Sequence, residues 1–121
     1  MKTRQIQIKG ISEISEKASA LLQINPQLIL VFGGHHFFED KKTLPLELSK
    51  NFPNCIIMGC STAGEISNKG VFNDSLIITA CFFNKTKLAT TESQISSMAD
   101  SYQCGQNLGQ KLISHNAKTV F

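Results

Sequence analysis

The stretch Cys55-Ile56-Ile57-Met58-Gly59-Cys60-Ser61-Thr62-Ala63-Gly64-Glu65-Ile66 decides the fold. Its first four residues form a short apolar run, which suits a buried strand better than a helix. That run ends in Gly59, and small hydroxyl-bearing residues follow. The composition from Gly59 to Gly70 predicts a polar, turn-like segment at the C-terminal end of the strand.

The segments upstream repeat this design. Leu28-Ile29-Leu30-Val31-Phe32 is a continuous apolar run, as expected of a central strand buried on both faces, and Gly33-Gly34-His35-His36 follows at its end. Between the two strands, Thr43 opens a predicted helix with Pro45 in its first turn, where a missing N–H does no harm. Leu44, Leu48 and Phe52 then fall at i, i+4 and i+8, and Asn51, Pro53 and Asn54 end the helix. Nearer the N-terminus, Ile6 and Ile8 alternate with polar residues as a half-wet strand. Gly10 breaks it, Ser12 is placed to cap a helix, and Ile14, Ala18, Leu21 and Leu22 share one side of that helix up to Asn25-Pro26.

Downstream, Ser75 to Phe83 reads as a long strand. Asn84-Lys85 reads as a hairpin turn into a further strand from Thr86 to Ser93. Met98 to His115 has helical spacing, with Met98, Tyr102, Gly105, Gly109, Leu112 and Ile113 on one side, and the two glycines predict close packing against a sheet. Lys118-Thr119-Val120-Phe121 has the look of a buried strand that has just begun, so a piece of a longer protein is expected, with residues 1–121 as a single domain. The order β-α-β-α-β-β-β-α-β predicts an α/β fold: a mixed sheet with helices packed on its faces and parallel pairing early in the chain.

Composition narrows the function classes. Of 121 residues, 41% are hydrophobic and 17% charged, which fits a folded domain. The net charge is +3 and the lysines are scattered, so the basic stripe that nucleic-acid binding needs is missing. No apolar run reaches the ~18 residues of a membrane span, and MKTRQIQIKG lacks a signal-peptide core, so a cytoplasmic location is expected. The four cysteines form no CxxC pair. Cys55 and Cys60 are an odd number of residues apart, which points their side chains to opposite faces of a strand and spoils joint metal binding. Buried thiols are expected for most of them.

Two segments can carry chemistry. In Gly59-Cys60-Ser61-Thr62-Ala63-Gly64-Glu65 the glycines let backbone N–H groups approach a ligand, Ser61 and Thr62 add hydroxyls, and Glu65 adds a charge. Loops at the C-terminal edge of an α/β sheet open into the crevice where ligands bind, and such a turn suits a small polar ligand such as an amino acid. The competing reading is a structural turn packed with small residues. The spacing matches neither GxxxxGK[ST] nor GxSxG. Cys60 is a candidate nucleophile if a base such as His35 or His36 adjoins it. In the second segment, Gly33 and Gly34 are expected on the same edge, and His35 or His36 is a candidate axial ligand for haem iron, with Phe37 and Phe38 as apolar wall. A solvated loop with aromatics covering the core is the plainer alternative.

The run GCSTAGEI, then Lys69-Gly70, then the strand from Ser75 to Phe83, resembles the N-terminal domain of the FIST family. The resemblance extends from about Gln27 to the chain end. It implies a sensory input module of bacterial signalling proteins, coupled to a kinase, a cyclic-dinucleotide enzyme or a chemotaxis domain. It also implies a small-molecule ligand, a partnering C-terminal FIST half and, in some members, haem and a response to nitric oxide. His35-His36 depart from the smaller, more polar residues expected in that loop, so the family's haem histidine is not carried over onto either. The resulting expectation is a non-catalytic small-ligand sensor. The alternatives are a haem-based nitric-oxide sensor, a thiol enzyme using Cys60, and a structural half that only docks its C-terminal partner.

Overall fold

The structure is a computed structural model that describes residues 1–120. The chain divides into two compact units, Met1–Thr86 and Lys87–Phe121. The first holds β1 (Lys2–Ile8), α1 (Glu13–Leu22), β2 (Leu28–Gly34), a 3-10 turn (His35–Phe38), α2 (Thr43–Asn51), β3 (Ile56–Thr62), β4 (Glu65–Ser67), β5 (Gly70–Phe72) and β6 (Leu76–Phe82). The second holds a 3-10 turn (Met98–Asp100) that leads into α3 (Ser101–Ser114). This is the mixed-sheet α/β class expected.

Four strands pair in the order β1-β6-β2-β3. β2 and β3 are parallel, from Leu28 opposite Ile56 to Gly34 opposite Thr62, and α2 makes the crossover between them. β6 is antiparallel to both β1 and β2. Alternation along the strands sends Ile8, Ile29, Val31, Ile78 and Ala80 into one cluster with Ile14, Ala18 and Leu21 of α1 and Leu44 and Leu48 of α2. Both helices therefore cover the same face of the sheet. Each fully buried Leu or Ile in this cluster contributes about 1.5–3 kcal/mol relative to exposure. Leu44, Leu48 and Phe52 are buried together, as their spacing predicts.

The first helix starts differently from expectation. Ser12 makes no side-chain capping bond. Glu13 Oε1 instead accepts the Lys9 and Gly10 N–H groups at 2.8 and 3.0 Å, so a carboxylate in the first turn ties the helix start back to the segment that leaves β1. Leu22, expected beside Leu21, is 44% exposed.

Four further expectations are corrected. The strand after Asn54 is not buried: it is the outer strand of the sheet, and Met58 to Ser61 are all exposed. The segment from Gly59 to Gly70 is not one turn. β3 continues to Thr62 because its backbone keeps pairing with Phe32–Gly34, and β4 and β5 then form a hairpin of their own. The strand expected from Thr86 to Ser93 is absent. β6 already has β1 on one side and β2 on the other, so a hairpin partner would have no edge to pair with. The Gln27 side chain also closes the end of β6, accepting the Phe83 N–H at 2.6 Å and donating to the Phe83 carbonyl at 3.1 Å. Residues 118–120 are likewise not strand, and Phe121 lies outside the described residues.

In the second unit, Ser97 and Asp100 form a capping box that launches α3. The buried residue of this helix is Cys104, whose thiol donates to the Gln94 carbonyl at 3.2 Å. Met98, Tyr102 and Ile113, expected on the packed side, are exposed. A Cβ added at Gly105 or Gly109 would meet no atom within 4 Å among the described residues, so nothing within this unit requires glycine there.

Candidate functional site

The parallel pairing of β2 and β3 brings the two candidate segments together. Gly33 lies opposite Ser61 and Gly34 opposite Thr62, both at the C-terminal ends of their strands. β6 enters the sheet at the same edge, where Gly34 N–H donates to the Ser75 carbonyl at 3.1 Å. The edge therefore gathers Gly33 to His36, Ser61 to Gly64 and Asn73 to Ser75.

Two of the glycines are explained by close approach of backbones. A Cβ at Gly59 would lie 2.2 Å from the Val31 carbonyl oxygen, and one at Gly33 would lie 2.5 Å from Leu76 Cδ1 and 2.9 Å from the Ser75 carbonyl oxygen. Any side chain there would push the strands apart. Room at the edge is uneven: a Cβ at Gly34 would lie 3.0 Å from His36 Cε1, whereas one at Gly64 would come no closer than 3.4 Å, to Asn73 Oδ1.

Glu65 is the best-defined polar group of the motif. It is 2% exposed, and its carboxylate accepts three hydrogen bonds. Thr62 Oγ1 donates to Oε1 at 3.0 Å, while Ser75 N–H and Ser75 Oγ donate to Oε2 at 3.1 and 3.0 Å. Burial alone would raise the carboxyl pKa, but the Ser75 and Thr62 donors outweigh it and hold the group below the ordinary glutamate value of 4.5. A buried charge is stable when its lone pairs are met in this way. Glu65 thus ties the turn after β3 to the start of β6.

The remaining candidates are placed as follows. Ser61 and Ala63 are exposed, and Thr62 and Gly64 are half-buried. Cys60 is an exposed free thiol on β3, Cys55 is half-buried, and Cys81 and Cys104 are buried. Burial pushes the Cys55 and Cys81 thiols up. His35 and His36 face other partners than Cys60: His35 Nδ1 lies 3.4 Å from Glu39 Oε1, and His36 Nδ1 lies 4.0 Å from Asp74 Oδ1. His35 is 80% exposed at its side chain. Phe37 is part of the buried cluster, its ring centroid 4.1 Å from that of the half-exposed His36, and Phe38 packs against the cluster.

Ser75 is the residue that the sequence reading missed at this edge. The signal was a serine heading an otherwise apolar strand, but only the fold shows that it meets Glu65, ten residues away. Two depressions mark the first unit elsewhere. One, of about 580 Å³, is lined by Thr3, Arg4, Gln5, Ala20, Asn68 and Thr79 among others. The other, of about 370 Å³, is lined by Gln7, Lys9, Glu13, Lys17 and Phe72 among others. Neither takes in a residue of the GCSTAGE turn or of Gly33 to His36. No helix among the described residues is long and apolar enough to cross a membrane.

Comparison with curated proteins and with solved structures gave no match. Residues 27–121 match the family model of the FIST N domain. The match takes in both glycine-bearing strand ends, the Glu65 network and most of the sheet. It covers well over half of the 121 residues, and the chain belongs to the FIST N domain family of sensory signal-transduction domains.

Proposed function

We propose that this chain is a non-catalytic sensory input domain that binds a small polar metabolite, such as an amino acid, at the C-terminal edge of β2 and β3. The observation that supports the reading is the meeting of two glycine-bearing strand ends at one edge. There the Ser61 hydroxyl and the Ala63 and Gly64 backbone offer polar groups with little side chain in the way. Glu65 serves as a positioning residue, since its carboxylate is already occupied by Thr62 and Ser75. A C-terminal FIST half supplies the opposite wall. Binding is then passed to a kinase, a cyclic-dinucleotide enzyme or a chemotaxis domain, in the cytoplasm.

The test is a thermal-shift screen of the full-length protein against amino acids and other small metabolites. A ligand at a hundred times its Kd stabilises by about 2.7 kcal/mol, a readily measured shift. Gly64→Ala should remove the shift while keeping the fold, because the new methyl meets nothing nearer than Asn73 Oδ1 at 3.4 Å and the Phe72 carbonyl oxygen at 3.7 Å. A shift that survives Gly64→Ala unchanged places the ligand elsewhere. No shift with any compound counts against the reading as a whole.

A further inference from the structure

The larger depression of the first unit, of about 580 Å³, falls within the ~300–1,000 Å³ of small-molecule sites. Its lining comes from β1, α1, β6 and the turn between β4 and β5, and it shares no residue with the strand ends at Ser61 to Gly64. Thr3, Arg4, Ile6, Ala20 and Leu21 also precede residue 27, where the family match begins. The charge in this lining has one sign: it includes Arg4 and no carboxylate.

Arg4 is held in place from one side. Its Nη1 donates to the Ala20 carbonyl at 3.2 Å and to Gln23 Oε1 at 2.6 Å. Both acceptors are neutral, and no carboxylate of this unit lies within 4.0 Å of the guanidinium. The bond to Ala20 also covers a carbonyl in the last turn of α1, whose negative end would otherwise repel an anion. Neither bond uses the Nε–Nη2 edge. Its parallel N–H groups match the paired oxygens of a carboxylate or a phosphate. Gln5 fixes the rest of the lining. Its Nε2 donates to Thr79 Oγ1 at 3.0 Å and its Oε1 accepts the Asn68 N–H at 3.1 Å, which ties the hairpin turn to the sheet. The Thr79 hydroxyl keeps its own hydrogen to donate, and the Thr3 hydroxyl and the Asn68 side-chain amide line the same depression.

We propose that this depression binds a small hydroxylated organic anion, with its carboxylate or phosphate on the Nε–Nη2 edge of Arg4 and its hydroxyls on Thr3, Asn68 and Thr79. Ala20 and Leu21 give its carbon frame an apolar wall. The anion is a second ligand, and the inference is independent of the ligand reading above, because the two sites have no residue in common.

The experiment is isothermal titration calorimetry of the full-length protein in a zwitterionic buffer of low ionic strength. The probes are citrate and ribose 5-phosphate, with ribose as the neutral control. At least one anion should bind, ribose should not, and added salt should weaken the anion. Tighter binding of ribose 5-phosphate assigns a phosphate, and tighter binding of citrate a carboxylate. Arg4→Gln should weaken the bound anion by about tenfold or more, with circular dichroism to check that the variant is folded. Asn68→Asp is the second variant. It keeps the backbone bond to Gln5 and sets a carboxylate on the rim, so it should weaken the anion as well. Gly64→Ala, at the separate strand-end site, should leave the anion's affinity unchanged. No binding of either anion to the wild type, or an unchanged affinity in either folded variant of Arg4 or Asn68, overturns the proposal. Loss of the anion in Gly64→Ala overturns it too, because the anion then sits at the strand ends.

Discussion

Replacing Glu65 tests the polar tie that gives the GCSTAGEI turn its shape. Glu65→Ala leaves the Ser75 N–H without its acceptor in a site where Ser75 is only 1% exposed. It also strips the hydroxyls of Ser75 and Thr62 of a charged acceptor. Hydrogen bonds to charged groups are worth about 1.5–3 kcal/mol each, while removing a buried carboxylate recovers part of its desolvation cost. The net loss expected is about 3 kcal/mol. For a unit of the size of Met1–Thr86, one kcal/mol shifts the melting temperature by about 4–8 °C, so a fall of more than 10 °C is expected.

Glu65→Gln isolates the charge. The folded-state pKa of Glu65 lies below its unfolded value of 4.5. Its contribution is therefore complete above about pH 4.5 and is lost as the pH falls through the folded value. Thermal melts of wild type and Glu65→Gln from pH 7 to pH 3 give the difference directly. Glu13 and Asp40 are also held below their ordinary values, by Lys17 and Thr43 respectively, but they titrate alike in both proteins and cancel. The gap between wild type and variant should close on acidification. A gap that stays constant from pH 7 to pH 3 would refute the account of Glu65 as an ionised, fully bonded acceptor.

The other glycines and thiols give three shorter tests. Gly59→Ala places a methyl 2.2 Å from the Val31 carbonyl oxygen and should destabilise by about 1–3 kcal/mol in urea titration. Gly105→Ala, with open space around the new methyl, should instead stabilise α3 by up to ~1 kcal/mol; a loss of stability there would show that the helix face is packed after all. Iodoacetamide should label Cys60 well before Cys81 and Cys104, which are buried, and mass analysis of timed digests would reveal any other order.

The parts of the fold that rest on local pattern were legible in the sequence. Continuous apolar runs marked β2 and β6, and the spacing of Leu44, Leu48 and Phe52 marked α2 and its buried side. What depends on the order of strands was not legible. Cys55 to Met58 are as apolar as a central strand, yet β3 is an edge, because apolar content does not say which neighbours a strand has. Thr86 to Ser93 is β-prone, but β6 has no free side left for it. Glycine misled in both directions. Gly59 reads as a turn residue and is a strand residue where backbones nearly touch, whereas nothing within its own unit requires glycine at Gly105 or Gly109. At the site, the meeting of the two segments followed from parallel pairing. The bond of Glu65 to Ser75 did not, since it joins residues across a hairpin whose existence was not foreseen.

The central claim is that the ends of β2 and β3 receive the ligand. Amide resonances of the full-length protein, followed while the metabolite that raises its melting temperature is titrated in, test it most directly. The account predicts that the largest shifts fall on Gly34, Ser61, Ala63 and Gly64. Shifts gathered instead on Arg4, Gln5 and Asn68, around the 580 Å³ depression beside β1, would contradict it.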